Sequence, residues 1–326
     1  MQKSAILVAL GGNAISRSGE EGTIVQQFGH TRETMEEIAR GVAGRYRRLL
    51  ITHGNGPQIG SIILRSELAA PEIYPLPLDT CVSDSEGGMG YMIQQIMQNV
   101  LRKWHDEPGA KTEWRLRDKC VVCVLTQVRV DPQDPMWSNP TKFIGRFYTM
   151  AEADKLKDER KWQMREDSGR GWRRVVPSPD PAEIIEIDAI RALLESGVIV
   201  IAAGGGGIPV VRDPDGDIHG VEAVIDKDLA SALLARTLGI GTFAILTGVE
   251  QVAIDYGKPS QQFLKRLTAA EARRYLSEGQ FPAGSMGPKI QAALNYLQDG
   301  GGRVIITSPE SFSAALEGNA GTEIIP

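Results

Sequence analysis

The chain has few of the residues that announce a specialised class of protein. Three cysteines in 326 residues are too few and odd in number, which excludes a disulfide scaffold and suits a reducing cytoplasm. The four histidines are scattered, so no His/Cys cluster offers a tight metal site. No apolar run reaches the ~18 residues of a membrane span, and the first residues do not read as a charged-then-apolar leader. A cytoplasmic protein with no membrane partner is expected. Positive charge is not in excess either: the formal net charge is -5 and the pI about 5.6, which argues against nucleic acid as a main partner. Also missing is the Gly-Lys-Ser or Gly-Lys-Thr of a phosphate-binding loop. After "AILVALGGN" the next lysine is Lys103.

Glycine is plentiful, with 36 residues, and much of it follows short apolar runs. The runs "AILVAL", "RLLITHG", "CVVCVLTQV", "GVIVIAAGGGG", "TFAILTGV" and "RVIITS" are mostly β-branched and bounded by turn residues. Between them lie helical patterns: "TRETMEEIARGVAGRYRR", "EGGMGYMIQQIMQNVLRKW", "PAEIIEIDAIRALLESG" and "DKDLASALLARTLG". The third is read as starting near Pro181 and stopping at Gly197. Strands alternating with helices predict an α/β fold with a largely parallel sheet, and continuously apolar strands predict cover on both faces. "KCVVCVLTQV" is read as one buried strand rather than a redox motif, because residues three apart on a strand point to opposite faces. From about 129 to 176 the chain turns polar and carries prolines and tryptophans. That is too long for an ordinary loop, so a lid or small inserted subdomain is expected, with Trp137, Trp162 and Trp172 as its core.

Three glycine-rich loops follow strands. Gly11, Gly12 and Asn13 form the first. In the second, "GNGPQIG", Gly54 and Gly56 fit a dinucleotide fingerprint, but the third glycine is due at Ile59 and arrives at Gly60. That spacing speaks against a nicotinamide dehydrogenase, while Pro57 can open a helix and leave Gly54, Asn55 and Gly56 as an anion nest. The third loop has four successive glycines, Gly204 to Gly207, which a plain turn does not need; they imply close approach to a ligand or to another loop. Open α/β sheets bind ligands at the carboxyl ends of their strands, where these loops lie. Cations to balance a phosphoryl group must come from afar. Lys227 and Lys289 sit at helix starts, where the macrodipole disfavours them, and Lys142 lies in the inserted stretch. Asp226 or Asp228 is expected to cap the helix that begins beside Lys227.

"VALGGNAI", "ITHGNGPQIG", "NPTKFIG", "REDSGRGWRRVVPSP", "VIVIAAGGGGIPVV", "GVEAVIDKDLAS", "ILTGVEQVAIDYGKP", "GSMGPKIQAAL" and "GTEIIP" together resemble the carbamate kinases, in the same order along the whole chain. The resemblance implies the amino-acid-kinase fold: a three-layer α/β/α sandwich around a largely parallel sheet, with a small protruding subdomain. It implies a carbamate-binding lobe over 1–238, including the insertion at about 129–176, and a nucleotide-binding lobe over 239–326. It further implies reversible phosphoryl transfer between ATP and carbamate, Mg2+ with the nucleotide, a homodimer, and a place in arginine metabolism. By that resemblance Lys142, Lys227, Asp228 and Lys289 are catalytic. Gly11, Gly12 and Asn13 approach the phosphoryl group, Gly54, Asn55 and Gly56 the carbamate, and Gly248, Tyr256, Met286 and Pro288 the nucleotide. The stretch "CVSDSEGGMGY" departs from the family's usual Cys-Gly-Ala-Met-Ser-Gln-Gly and adds Asp84 and Glu86 near the carbamate end. A kinase of the same fold acting on another small carboxylate or carbamate is therefore the alternative, and a non-catalytic nucleotide or metabolite sensor the further one, against which the retained lysines speak.

Overall fold

The structure, a computed structural model, describes residues 3–17, 19–106, 120–167, 169, 171–282, 284–298 and 300–326. Its centre is an eight-stranded sheet. Numbered along the chain, the strands are β1 (Lys3–Leu10), β2 (Tyr46–His53), β3 (Val121–Cys123), β4 (Ile199–Ile201), β5 (Thr242–Leu246), β6 (Arg266–Thr268), β7 (Arg303–Thr307) and β8 (Thr322–Ile325). The order across the sheet is β6-β8-β7-β5-β1-β2-β4-β3. Every neighbouring pair is parallel except β7 and β8.

Strand periodicity separates the core into two layers. Ile6, Val8 and Leu10 of β1 join a cluster with Ile51 and Leu246, packed under Met35 and Ile38 of the helix Ile24–Val42 and Ile93 and Met97 of the helix Leu78–Asp106. Leu7 and Ala9 face the other way, into a cluster with Phe243 and Ile245, covered by Leu234 of the helix Lys227–Thr237 and Ile290 of the helix Met286–Gln298. Side chains alternate across a strand, so a strand apolar at every position feeds both layers of the sandwich.

Register sets up the site. Leu10 lies opposite both His53 of β2 and Leu246 of β5, so three neighbouring strands end at one level. The loops after them must therefore meet. Strands from before and after residue 238 pair directly, β1 with β5, within this one sheet.

Several sequence readings need correction. Pro181–Ile184 is a strand, antiparallel to Gln127–Val130, and the helix begins only at Ile187. Its stop at Gly197 is as expected, with φ +87 there. Proline suits a strand in which its nitrogen has no ladder partner, and there the edge pairing outweighs the helical spacing of Ile184 and Ile185. The long helix starts at Leu78, so the divergent "CVSDSEGG" lies inside it. "CVVCVLTQV" is two strands, Val121–Cys123 and Gln127–Val130, in different sheets. Cys120 is exposed and Cys123 half-buried, and both are free thiols.

The polar excursion folds as a subdomain. Its strands Lys142–Tyr148, Trp172–Val176 and Met164–Glu166 form a three-stranded sheet, with the helix Met150–Arg160 against it. Trp162 and Trp172 pack on its small core of Tyr148, Ala153 and Met164, whereas Trp137 packs on the main core instead. Ile144 and Val176 anchor the subdomain to Ile59, Ile63 and Val82 of the body.

Candidate active site

The glycine loops extend the strand ladders at their carboxyl ends. Gly11 N–H donates to Leu246 O (2.8 Å), and Gly54 N–H donates to Leu10 O (3.0 Å). A Cβ on Gly11 would stand 2.4 Å from that Leu246 oxygen, so no larger residue fits without moving β1 from β5. Gly12 and Asn13 follow in an exposed turn, and a Cβ on Gly248, just past β5, would meet the Asn13 amide nitrogen at 1.9 Å. Asn13 and Gly248 are thus in close contact. Asn55 precedes the helix Gly56–Ala69, which opens with Pro57; its own amide nitrogen donates to Ser85 Oγ at 2.8 Å.

The lysines converge on the N-terminus of the helix Lys227–Thr237. Asp226 is the cap: its Oδ1 accepts from the backbone N–H of Asp228 (2.9 Å) and Leu229 (3.4 Å). Its other oxygen receives Lys142 Nζ, reaching in from the subdomain, at 2.9 Å. Asp228 binds two cations, Lys227 Nζ on Oδ1 at 2.7 Å and Lys289 Nζ on Oδ2 at 2.9 Å. The Lys227 chain passes the second glycine loop, its Cε 3.7 Å from where a Gly54 Cβ would be. Three ammonium groups and two carboxylates therefore meet at a helix N-terminus, leaving a positive excess there.

Burial and charge set the protonation of this group. Burial alone raises the Asp228 carboxyl, but Lys227 and Lys289 outweigh it and hold it well below the usual carboxylate range. Lys227 moves down, mainly because burial strips its ammonium of water and also because Lys289 repels it; Asp228 opposes the fall.

The expected nucleotide residues are less tightly joined. Met286 and Pro288 lie in the first turn of the helix that carries Lys289, and Met286 packs against the main core. Tyr256 is 64% exposed, beside Asp255, whose φ is +51 and whose N–H donates to Gln280 Oε1 at 2.8 Å. That bond brings the Tyr256 turn toward the loop preceding Met286.

Two residues beneath the second loop went unassigned in the sequence. Glu86, from the long helix, is fully buried; Oε1 accepts from Gly204 N–H (2.8 Å) and Oε2 from Thr126 N–H (3.1 Å). Burial pushes its carboxyl up to about 8. His53, also buried, hydrogen-bonds Gly54 O through Nδ1 at 3.1 Å, and burial lowers it to about 4. Asp84, two residues before Glu86, is exposed. Nothing in the local pattern separates the two acids, because the distinction depends on what packs against the helix. The four glycines are also explained: a Cβ on Gly204 would strike His53 Nε2 at 2.3 Å, and one on Gly205 Asn55 Nδ2 at 2.2 Å. These two approach another loop, while Gly206 and Gly207 leave no room against Ile225 O and Val128.

A raised carboxyl pKa has a definite sign for stability. Folding holds the Glu86 proton, so its contribution is complete below about 4.5, the ordinary value, and is lost as pH rises through about 8. His53 charges in the unfolded chain only below about 6.5, so it does not interfere above that pH. Wild type is expected to lose stability relative to Glu86→Gln between pH 6.5 and about 9, by a few kcal/mol at most. Melting temperatures of the two proteins across that range check it; parallel curves would show that Glu86 carries no buried proton.

Comparison with known proteins gives a consistent result. The family model described as "Amino acid kinase family" matches residues 4–308. The carbamate kinase of Pyrococcus furiosus is 46% identical over 323 residues, 98% of this chain and 99% of that protein. The "Carbamate kinase-like protein YahI" of Escherichia coli K12 is 47% identical over 326 residues, 99% of each. Among solved structures, carbamate kinase from Giardia lamblia bound to AMP-PNP matches with a TM-score of 0.89 at 41% identity, covering 99% of this chain and 98% of that one.

Proposed function

The chain belongs to the amino acid kinase family and, within it, to the carbamate kinases, and we infer that its site moves a phosphoryl group reversibly between ATP and carbamate. The observation that carries this reading is Asp228 bridging Lys227 and Lys289 at a helix N-terminus, beside the glycine loops of β1 and β2. An ionised carbamate oxygen needs no general base, so the protein's work is alignment and charge neutralisation. Gly11, Gly12 and Asn13 line the path of the transferred group, and Gly54, Asn55 and Gly56 hold the carbamate. Lys227 and Lys289 neutralise the phosphoryl oxygens, kept charged and apart by Asp228. Lys142 exchanges Asp226 for the phosphates when nucleotide binds. Gly248, Tyr256, Met286 and Pro288 take the nucleotide; nucleotide binding as such is in keeping with the Giardia relative, whose structure is bound to AMP-PNP.

Mg2+ fits this site only as a companion of the nucleotide. Asp226 and Asp228 are already bound to lysines, and no group of three or more His, Cys, Asp or Glu side chains among the described residues could hold a metal ion. When bound with the nucleotide, Mg2+ would add to the neutralisation of phosphate charge that Lys142, Lys227 and Lys289 supply. No helix among the described residues is long and apolar enough to cross a membrane. A homodimer and a link to arginine metabolism are proposed on the family resemblance, and a cytoplasmic location on the few cysteines, odd in number.

The substrate is tested by ATP formation from ADP with carbamoyl phosphate or acetyl phosphate as donor. Carbamoyl phosphate should be strongly preferred. Equal use of acetyl phosphate would move the assignment to a kinase of small carboxylates.

A further inference from the structure

Glu86 lies outside the lysine cluster, yet it hydrogen-bonds the third glycine loop, which packs on the second. The loop joining β4 to the strand Ile208–Arg212 turns through Ala203, at φ 49 and ψ 40, and then Gly205, Gly206 and Gly207, all at positive φ. A left-handed alanine costs about 1 kcal/mol, so something must hold it there. Two side chains do. Thr126 Oγ1 accepts from Ala203 N–H (2.9 Å), and Glu86 Oε1 accepts from Gly204 N–H (2.8 Å). Glu86 also fixes Thr126 through its N–H. Gly204 and Gly205 rest on His53 and Asn55 without room for a single added carbon, and Gly206 and Gly207 sit as tightly against Ile225 O and Val128. Meanwhile Ser85, the neighbour of Glu86 on the same helix, accepts from the Asn55 amide. Adjacent residues of one helix thus grip Asn55 twice, once directly and once through the loop packed on it.

We propose that Glu86 is a positioning residue for the small substrate: by clamping the Ala203–Gly207 loop it fixes Asn55 and the Gly54–Gly56 turn, and so sets affinity for the carbamoyl group. The inference rests on the reading that this turn holds the carbamate. The nucleotide residues and Lys289 stand on other elements, so loss of the clamp leaves nucleotide affinity untouched. A merely structural role would disturb both substrates or neither. Glutamine keeps the shape and one accepting oxygen, so it can hold one of the two N–H groups and is expected to restore part of the affinity.

The test is steady-state ATP formation from ADP and carbamoyl phosphate by wild type, Glu86→Ala and Glu86→Gln, with KM measured for each substrate. Wild-type turnover is read first and tests the kinase assignment by itself. For Glu86→Ala, KM for carbamoyl phosphate should rise at least ~10-fold while KM for ADP stays within about twofold, with Glu86→Gln in between. An unchanged KM for carbamoyl phosphate, or a parallel rise in both KM values, would overturn the proposal. If Glu86→Ala does not fold, Glu86→Gln and Thr126→Val carry the test. Thr126→Val loses the hydroxyl that accepts from Ala203 at nearly constant shape, so a selective rise is again expected, and no rise in either variant overturns the clamp.

Discussion

Asp228→Asn is expected to keep the fold and much of the nucleotide affinity while turnover falls at least ~10-fold, equivalent to ~1.4 kcal/mol of lost transition-state stabilisation. Asparagine has nearly the shape of aspartate but can offer one accepting oxygen, where Lys227 and Lys289 now each take one. Lys227 is the weaker of the two positions. Burial and Lys289 already press its pKa down, and Asp228 is the main opposing charge. Without that charge the neutral amine is favoured and a cation is lost from the phosphoryl site. Steady-state turnover with circular dichroism measures the effect. A folded variant within about twofold of wild type would leave Asp228 without an organising role. The helix cap is no substitute explanation, because Asp226 supplies it.

Lys142→Ala should also lower turnover by ~10-fold or more, with ADP binding nearly unchanged. Lys142 is the subdomain's only lysine bonded to the helix that carries the site, through Asp226 at 2.9 Å among the described residues. That pair holds an ammonium group one residue from Lys227 in readiness for phosphate. The subdomain itself is anchored independently by Ile144 and Val176, so alanine at 142 leaves its docking intact. Full turnover in this variant would place the phosphate cations on Lys227 and Lys289 alone. Calorimetric titration with ADP checks the binding arm.

Much of the site was legible because its chemistry is concentrated in short motifs. Glycines after apolar runs mark strand ends, and the two lysines set against a macrodipole, Lys227 and Lys289, meet on one carboxylate, Asp228. The two-layer core was legible for a related reason: a strand apolar at every position has no solvent face. Other features depend on contacts between distant segments. Glu86 and Asp84 look alike in sequence, and only the packing of the long helix on the loop after β4 buries one and leaves the other in water. The four glycines implied a close approach without naming its partners: His53 and Asn55 for Gly204 and Gly205, Ile225 and Val128 for Gly206 and Gly207. Pro181 misled because helical spacing is visible locally, whereas the partner strand Gln127–Val130 lies over fifty residues away. Trp137 was assigned to the insertion by position and belongs by packing to the main core.

Phosphoryl transfer by the lysines gathered around Asp228 is measured by a coupled assay of ATP formation from ADP, Mg2+ and carbamoyl phosphate, run on wild type and Lys289→Ala side by side. Robust wild-type turnover is predicted, with a larger loss for Lys289→Ala than for Asp228→Asn, since it removes a cation from the phosphates themselves. No ATP from the wild-type protein, or equal rates from wild type and a folded Lys289→Ala, would contradict it.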